Sequence, residues 1–106
     1  MAKYLLQANY TVDGVKGLLK EGGSARRAAV ENLFKSMGST VEAFYYAFGD
    51  NDLFIICDCP DHATAAALVL TVASTGAATV KTTVLLTPEE IDEASKKSPL
   101  YRAPGQ

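Results

Sequence analysis

Glu42, Asp58, Lys81 and Tyr46 are the side chains that could supply an acid, a base and a proton relay on one surface. Strand parity places them together, and partial burial there would drive their pKa values apart. The plainer reading is internal ion pairing, with Lys81 neutralising one carboxylate across the sheet. A second constellation is Gly22-Gly23-Ser24 ahead of Ala25-Arg26-Arg27. It sets free backbone N–H groups, the Ser24 hydroxyl and two guanidinium groups side by side, a candidate anion site. The glycine and lysine spacing of a nucleotide P-loop is missing. The alternative is an interrupted helix whose arginines pair with neighbouring acids. Cys57, Cys59 and His62 form a Cys-x-Cys-x-x-His string of zinc or copper ligand types. Alternation, however, turns both cysteines toward a packed interior, where cysteine behaves as a small hydrophobe, so no metal is assigned. Hydrolase triads, Rossmann glycines and kinase signatures are absent, no cofactor is implied, and no specific reaction is written in the sequence.

These side chains need elements to position them. Residues 3–10 alternate, with Tyr4, Leu6, Ala8 and Tyr10 on one side and Lys3, Gln7 and Asn9 on the other, which predicts a half-buried strand. Asp13 is placed to cap a short helix over 14–21, weakened by two internal glycines and stopped by Gly22-Gly23. Over 25–37, Ala29, Val30, Leu33, Phe34 and Met37 recur at helical spacing, and Gly38 stands where a C-terminal cap belongs. The β-branched and aromatic runs 40–48 and 53–59, separated by Gly49-Asp50-Asn51-Asp52, predict a hairpin. Asp61 can cap an alanine-rich helix over 63–74, and 78–86 reads as a fourth strand. Thr87-Pro88-Glu89-Glu90 is a capping box with proline at the first helical position, and 98–106 form an irregular tail. The order β-α-β-β-α-β plus a terminal helix predicts one α+β domain over 1–106 of ferredoxin-like type. Its four-stranded antiparallel sheet would carry both main helices on one face.

Composition narrows the partners. Among 106 residues, 10 basic and 12 acidic groups leave no excess for neutralising phosphates, so no nucleic-acid partner is expected. No run of about 18 uninterrupted apolar residues exists to span a bilayer, and Met1-Ala2-Lys3-Tyr4 lacks the apolar core of a signal peptide. Two cysteines this close make no disulfide framework, which points to a reducing, cytoplasmic setting.

Parity assigns Tyr4, Leu6, Ala8, Val41, Ala43, Ala47, Leu53, Ile55, Cys57, Val80 and Val84 to the helix side. It assigns Leu5, Gln7, Asn9, Glu42, Phe44, Tyr46, Phe48, Phe54, Ile56, Asp58, Thr79, Lys81, Thr83 and Leu85 to the other. Keeping Phe44 and Phe54 on one side requires an odd loop or a bulge near Gly49. A face so rich in rings is too apolar to leave in water and too charged for a dry core. A second copy of the same face would cover it, giving a symmetric homodimer with a lumen able to hold a small molecule.

The segments Ala2-Lys3-Tyr4, Gly22-Gly23-Ser24-Ala25-Arg26-Arg27-Ala28-Ala29-Val30, Ala43-Phe44-Tyr45-Tyr46-Ala47-Phe48-Gly49-Asp50-Asn51-Asp52 and Lys81-Thr82-Thr83 resemble the GYD domain family over nearly the whole chain. The resemblance implies a small protein like its bacterial and archaeal members, which have no assigned activity and stand near the dimeric α/β barrels. Gly49 and Asp52 match the name-giving motif, while Asn51 stands where the family has tyrosine. Turn chemistry alone reads Gly49 and Asp52 as a hairpin turn; the functional alternative puts Asp52 at the mouth of a pocket. Two functions stay open. One is a homo-oligomeric module that binds a small anionic or aromatic molecule through Ser24, Arg26, Arg27, Phe44, Phe54 and Asp52. The other, by fold analogy, is a cofactor-independent monooxygenase or isomerase acting on a small cyclic or aromatic substrate through Glu42, Asp58, Tyr46 and Lys81. They divide on the carboxylates, which an enzyme needs desolvated and free and a binding protein keeps paired.

Overall fold

The computed structural model describes residues 1–106. The alternating segment forms β1 (Ala2–Tyr10), its odd-numbered side half-buried and its even-numbered side in the core. α1 (Val12–Glu21) starts earlier than Asp13 predicts, because Thr11 takes the cap position and its hydroxyl accepts from the Gly14 N–H. Gly22, at φ 86°, separates α1 from α2 (Gly23–Ser36), a conformation that costs glycine little and other residues much. β2 (Thr40–Tyr46) and β3 (Leu53–Cys59) form the expected hairpin. Asp61 caps α3 (His62–Ser74), and the Thr64 N–H it accepts holds its carboxyl below the usual carboxylate range. β4 (Ala78–Leu85) leads to α4 (Pro88–Ser95), where Thr87 and Glu90 complete the reciprocal capping box.

The strands pair antiparallel in the order β2-β3-β1-β4, an α+β fold with β1 and β3 at the centre. Tyr4, Leu6, Ala8, Leu53, Ile55, Cys57 and Cys59 from these two strands meet Phe34 of α2 and Ala65 and Leu68 of α3 in one core. Both long helices therefore lie on the same face, as the alternation requires.

One strand departs from simple parity. The ladder between β2 and β3 slips between Val41 and Ala43, so Phe44 pairs with Ile55 and Tyr46 with Leu53 on the helix side. Ala43 and Tyr45 instead sit opposite Ile56 and Phe54 on the other face. Phe44 and Phe54 thus point to opposite sides, Tyr46 leaves the proposed catalytic face, and the bulge lies at Glu42 rather than near Gly49. The physical reason is core volume: Val41 and Phe44 both seek the helix side, and an odd spacing satisfies them only if one residue is unpaired. Half-burying the Phe44 ring contributes about 1 kcal/mol, enough to offset one lost ladder bond.

The C-terminal arm is the other departure. All residues of α4 and of the tail through Gln106 are exposed, among them Ile91, Leu100 and Tyr101. The radius of gyration is 17.1 Å, against about 13 Å for a domain of this length. The accessible surface is 7386 Å², where about 5,700 Å² is usual for this mass. The tail does not fold back to cover the open sheet face.

Candidate functional site

On the open face the carboxylates are paired, but by a different lysine from the one the sequence suggested. Lys3 Nζ lies 2.6 Å from Glu42 Oε2 and 3.1 Å from Asp58 Oδ1. Glu42 and then Asp58 hold the Lys3 ammonium above its ordinary range. Lys3 faces Asp58 directly in the β1–β3 ladder, and the bulge brings Glu42 alongside. Lys81 sits opposite Gln7 on the exposed edge strand and makes no ion pair. The four sequence candidates are therefore divided: Glu42 and Asp58 are bound by Lys3, Lys81 is apart, and Tyr46 is on the other side of the sheet.

Asp52 serves the hairpin. Its carboxylate accepts from the Tyr10 N–H at 2.9 Å, while its own N–H donates to the Ala8 carbonyl and its carbonyl accepts from Ala47. Asn51, in the position of the family tyrosine, accepts from the Gln7 amide and ties the same loop to β1. Gly49 has open space around it.

At the start of α2, Gly23, Ser24 and Arg27 line a shallow depression with Phe44 and Tyr46. Tyr46 donates its phenol to the Gly23 carbonyl at 3.1 Å, and a Cβ on Gly23 would press the Tyr46 ring at 3.0 Å. This explains the second glycine of the pair. Arg26 lies 3.5 Å from Glu21, and Arg27 lies 3.8 Å from Glu31, so the arginines pair with neighbouring acids. Phe54 is remote from this cluster, on the opposite face.

Cys57 and Cys59 are buried and unpaired, and burial, reinforced by its neighbour Cys59, pushes the Cys57 thiol up to about 12. His62 is turned to the Tyr4 hydroxyl, which its Nδ1 meets; burial holds that phenol above its ordinary range. The Cys-x-Cys-x-x-His string gathers no three-ligand group.

An apolar cleft lies on the helix side, between α2 and α3, where no single motif announced it. It encloses about 190 Å³ and 15 of its 18 lining residues are hydrophobic. Its floor is Leu6, Ala8, Leu53 and Ile55 of the sheet, and its walls are Ala29, Val30 and Leu33 of α2 and Val69 and Val72 of α3. From α3 the lining is Leu68, Val69, Thr71 and Val72, and facing them on α2 the small side chain of Ala29 leaves part of the space open. Arg26 is the one charged residue in the lining, and Tyr10 closes the same end. Burial pushes the Tyr10 phenol up to about 12, Tyr46 adding and Arg26 opposing, so it is a proton donor throughout the neutral range. Tyr10 and the cleft were missed by the sequence reading. The usable signal was the alternation itself, which placed Tyr10 inward at the end of β1.

A small α+β domain with an apolar cleft between its helices and a charged, open sheet face is the class these features define. The chain belongs to the GYD domain family, whose model matches residues 4–95. Neither the curated proteins nor the solved structures give a match. No helix is long and apolar enough to cross a membrane.

Proposed function

We propose that this protein is a homo-oligomeric small-molecule-binding module whose ligand lies in the cleft between α2 and α3. The cleft carries the reading: a preformed apolar cavity with one charged group at its end is what binding sites for small organic molecules share. The binding role is favoured over a cofactor-independent monooxygenase or isomerase because Glu42 and Asp58 are both engaged by Lys3. Neither stands free and desolvated as a general base must. The unpaired buried Cys57 and Cys59 support a cytoplasmic setting. Titration with the neutral fluorophore 1-naphthalenemethanol tests the site. It is expected to saturate, and Ala29→Phe, which enlarges a side chain at the cleft wall, is expected to weaken binding at least fivefold while leaving the melting temperature in place. Equal binding by wild type and Ala29→Phe would place the probe elsewhere and end the reading.

Self-association rests on the other half of the molecule. The open face presents Leu5, Phe54, Ile56 and Leu85 around the Lys3 ion pairs, and the arm adds Ile91, Leu100 and Tyr101. The surface excess over a typical monomer, about 1,700 Å², exceeds the roughly 800 Å² that a stable dimer buries on each partner. Light scattering is expected to give about twice the 11.2 kDa of one chain. Ile56→Lys sets a charge at the centre of the face and is expected to yield folded monomer. A wild-type monomer at micromolar concentration overturns the assembly and leaves the cleft untouched.

A further inference from the structure

Resting on the cleft as the binding site, we infer that its ligand carries a carboxylate, and that Arg26 receives it by exchanging its resident partner Glu21. The cleft is apolar along its length, and a ligand that merely filled it would need no charge at the end. Yet a guanidinium is placed there, the one charged group of the lining and still 36% exposed, so that it faces both solvent and whatever enters the cleft.

The geometry of Arg26 suits an exchange. It sits in the first turn of α2, just after the break at Gly22, and its contact with Glu21 on the last turn of α1 is loose, at 3.5 Å through Nη1 alone. An arginine so held keeps most of its five donors available, and a carboxylate arriving from the cleft side can take two of them in parallel. Glu21 is exposed and returns to water at little cost when displaced. The Tyr10 phenol lines the same cleft and stays protonated; it is engaged with Tyr46 and would have to turn from it to donate to the carboxylate. No acidic residue lines the cleft to repel an anion. The ligand class is therefore a compact hydrophobic monocarboxylic acid, aryl or branched alkyl, with its acid group toward Arg26 and its body over Leu6 and Ile55.

The test compares 1-naphthoate with 1-naphthalenemethanol, matched in shape and different in charge, on the full chain. Wild type is expected to prefer naphthoate about tenfold, the factor one added charge-assisted hydrogen-bond pair supplies. Arg26→Gln is expected to abolish the preference by weakening naphthoate while leaving the alcohol unchanged, and Arg26→Lys to retain part of it. Glu21→Gln removes the competitor and is expected to tighten naphthoate severalfold without affecting the alcohol. If both probes bind wild type equally, or if Arg26→Gln weakens both alike, the carboxylate inference is overturned while the cleft stands. If neither binds, the cleft reading fails and this inference with it.

Discussion

Alanine at Gly14 is expected to destabilise the protein by about 3 kcal/mol, and alanine at Gly17, one turn further along the same helix, to stabilise it by about 0.5–1 kcal/mol. Both are read from urea denaturation midpoints. A Cβ on Gly14 would lie 2.0 Å from the Ala77 carbonyl oxygen and 2.9 Å from Tyr10 Cδ1. That carbonyl cannot retreat freely, because it accepts the Thr11 N–H at 2.9 Å and the adjoining Gly76 carbonyl accepts the Thr11 hydroxyl. The two glycines of α1 thus have different reasons to exist. Gly14 lets α1 touch the α3–β4 connection, which holds Tyr10 and Ala77 at the end of the cleft. Around Gly17 no atom lies within 4 Å of a built Cβ, so alanine there only restricts the unfolded chain and favours the helix. Equal losses at the two positions would show that helix propensity, and not the approach to Ala77, governs this element.

The glycines also mark where sequence reasoning reaches its limit. Composition identifies both as helix-weakening, but only the tertiary contact separates a required glycine from a replaceable one. Elements whose signals are local were legible. The alternation of β1, the caps at Asp61 and Thr87, and the hairpin around Gly49-Asp50-Asn51-Asp52 each depend on neighbours in the chain, and each is found where the sequence puts it. The order of elements then leads to the antiparallel sheet with its helices on one face.

What failed depended on pairing across strands. Alternation marks Lys3 only as a polar position of β1, whereas its role follows from standing opposite Asp58, a register that no local pattern contains. Parity along β2 breaks at Glu42, and everything beyond it changes side, carrying Phe44 and Tyr46 away from Phe54. The clue was present in the odd spacing of Val41 and Phe44, two large apolar residues three apart in a strand. A cavity is harder still to foresee, since the space between α2 and α3 is the difference between the width of the sheet and the reach of small side chains such as Ala29 and Val69. The cleft on the helix side is thus a further candidate beside the open sheet face, and Arg26 belongs to its lining.

The same buried groups make the fold sensitive to alkali. From 9.0, burial chiefly and the neighbouring Cys59 next push the Cys57 thiol up to about 12, and burial chiefly pushes the Tyr10 phenol to about 12. In each case the folded chain holds its proton more tightly than the unfolded one. The contribution to stability is therefore whole below the unfolded-state pKa, near 9 for the thiol and near 10 for the phenol, and is lost as the pH rises toward 12. Because each shifted unit corresponds to about 1.4 kcal/mol before solvent screening is allowed for, a fall of about 3 kcal/mol is expected across this window. Urea midpoints at pH 8, 9, 10 and 11, under reducing conditions, measure it. Cys57→Ala is expected to lower stability at pH 8 by about 1 kcal/mol, the cost of a small cavity, yet to flatten the decline between pH 9 and 10, where the thiol makes the first and largest contribution. Tyr10→Phe is expected to leave that first segment unchanged and to soften the decline above pH 10. Parallel curves for wild type and Cys57→Ala would mean that the thiol does not resist ionisation in the core, and that the alkaline loss arises at the surface instead.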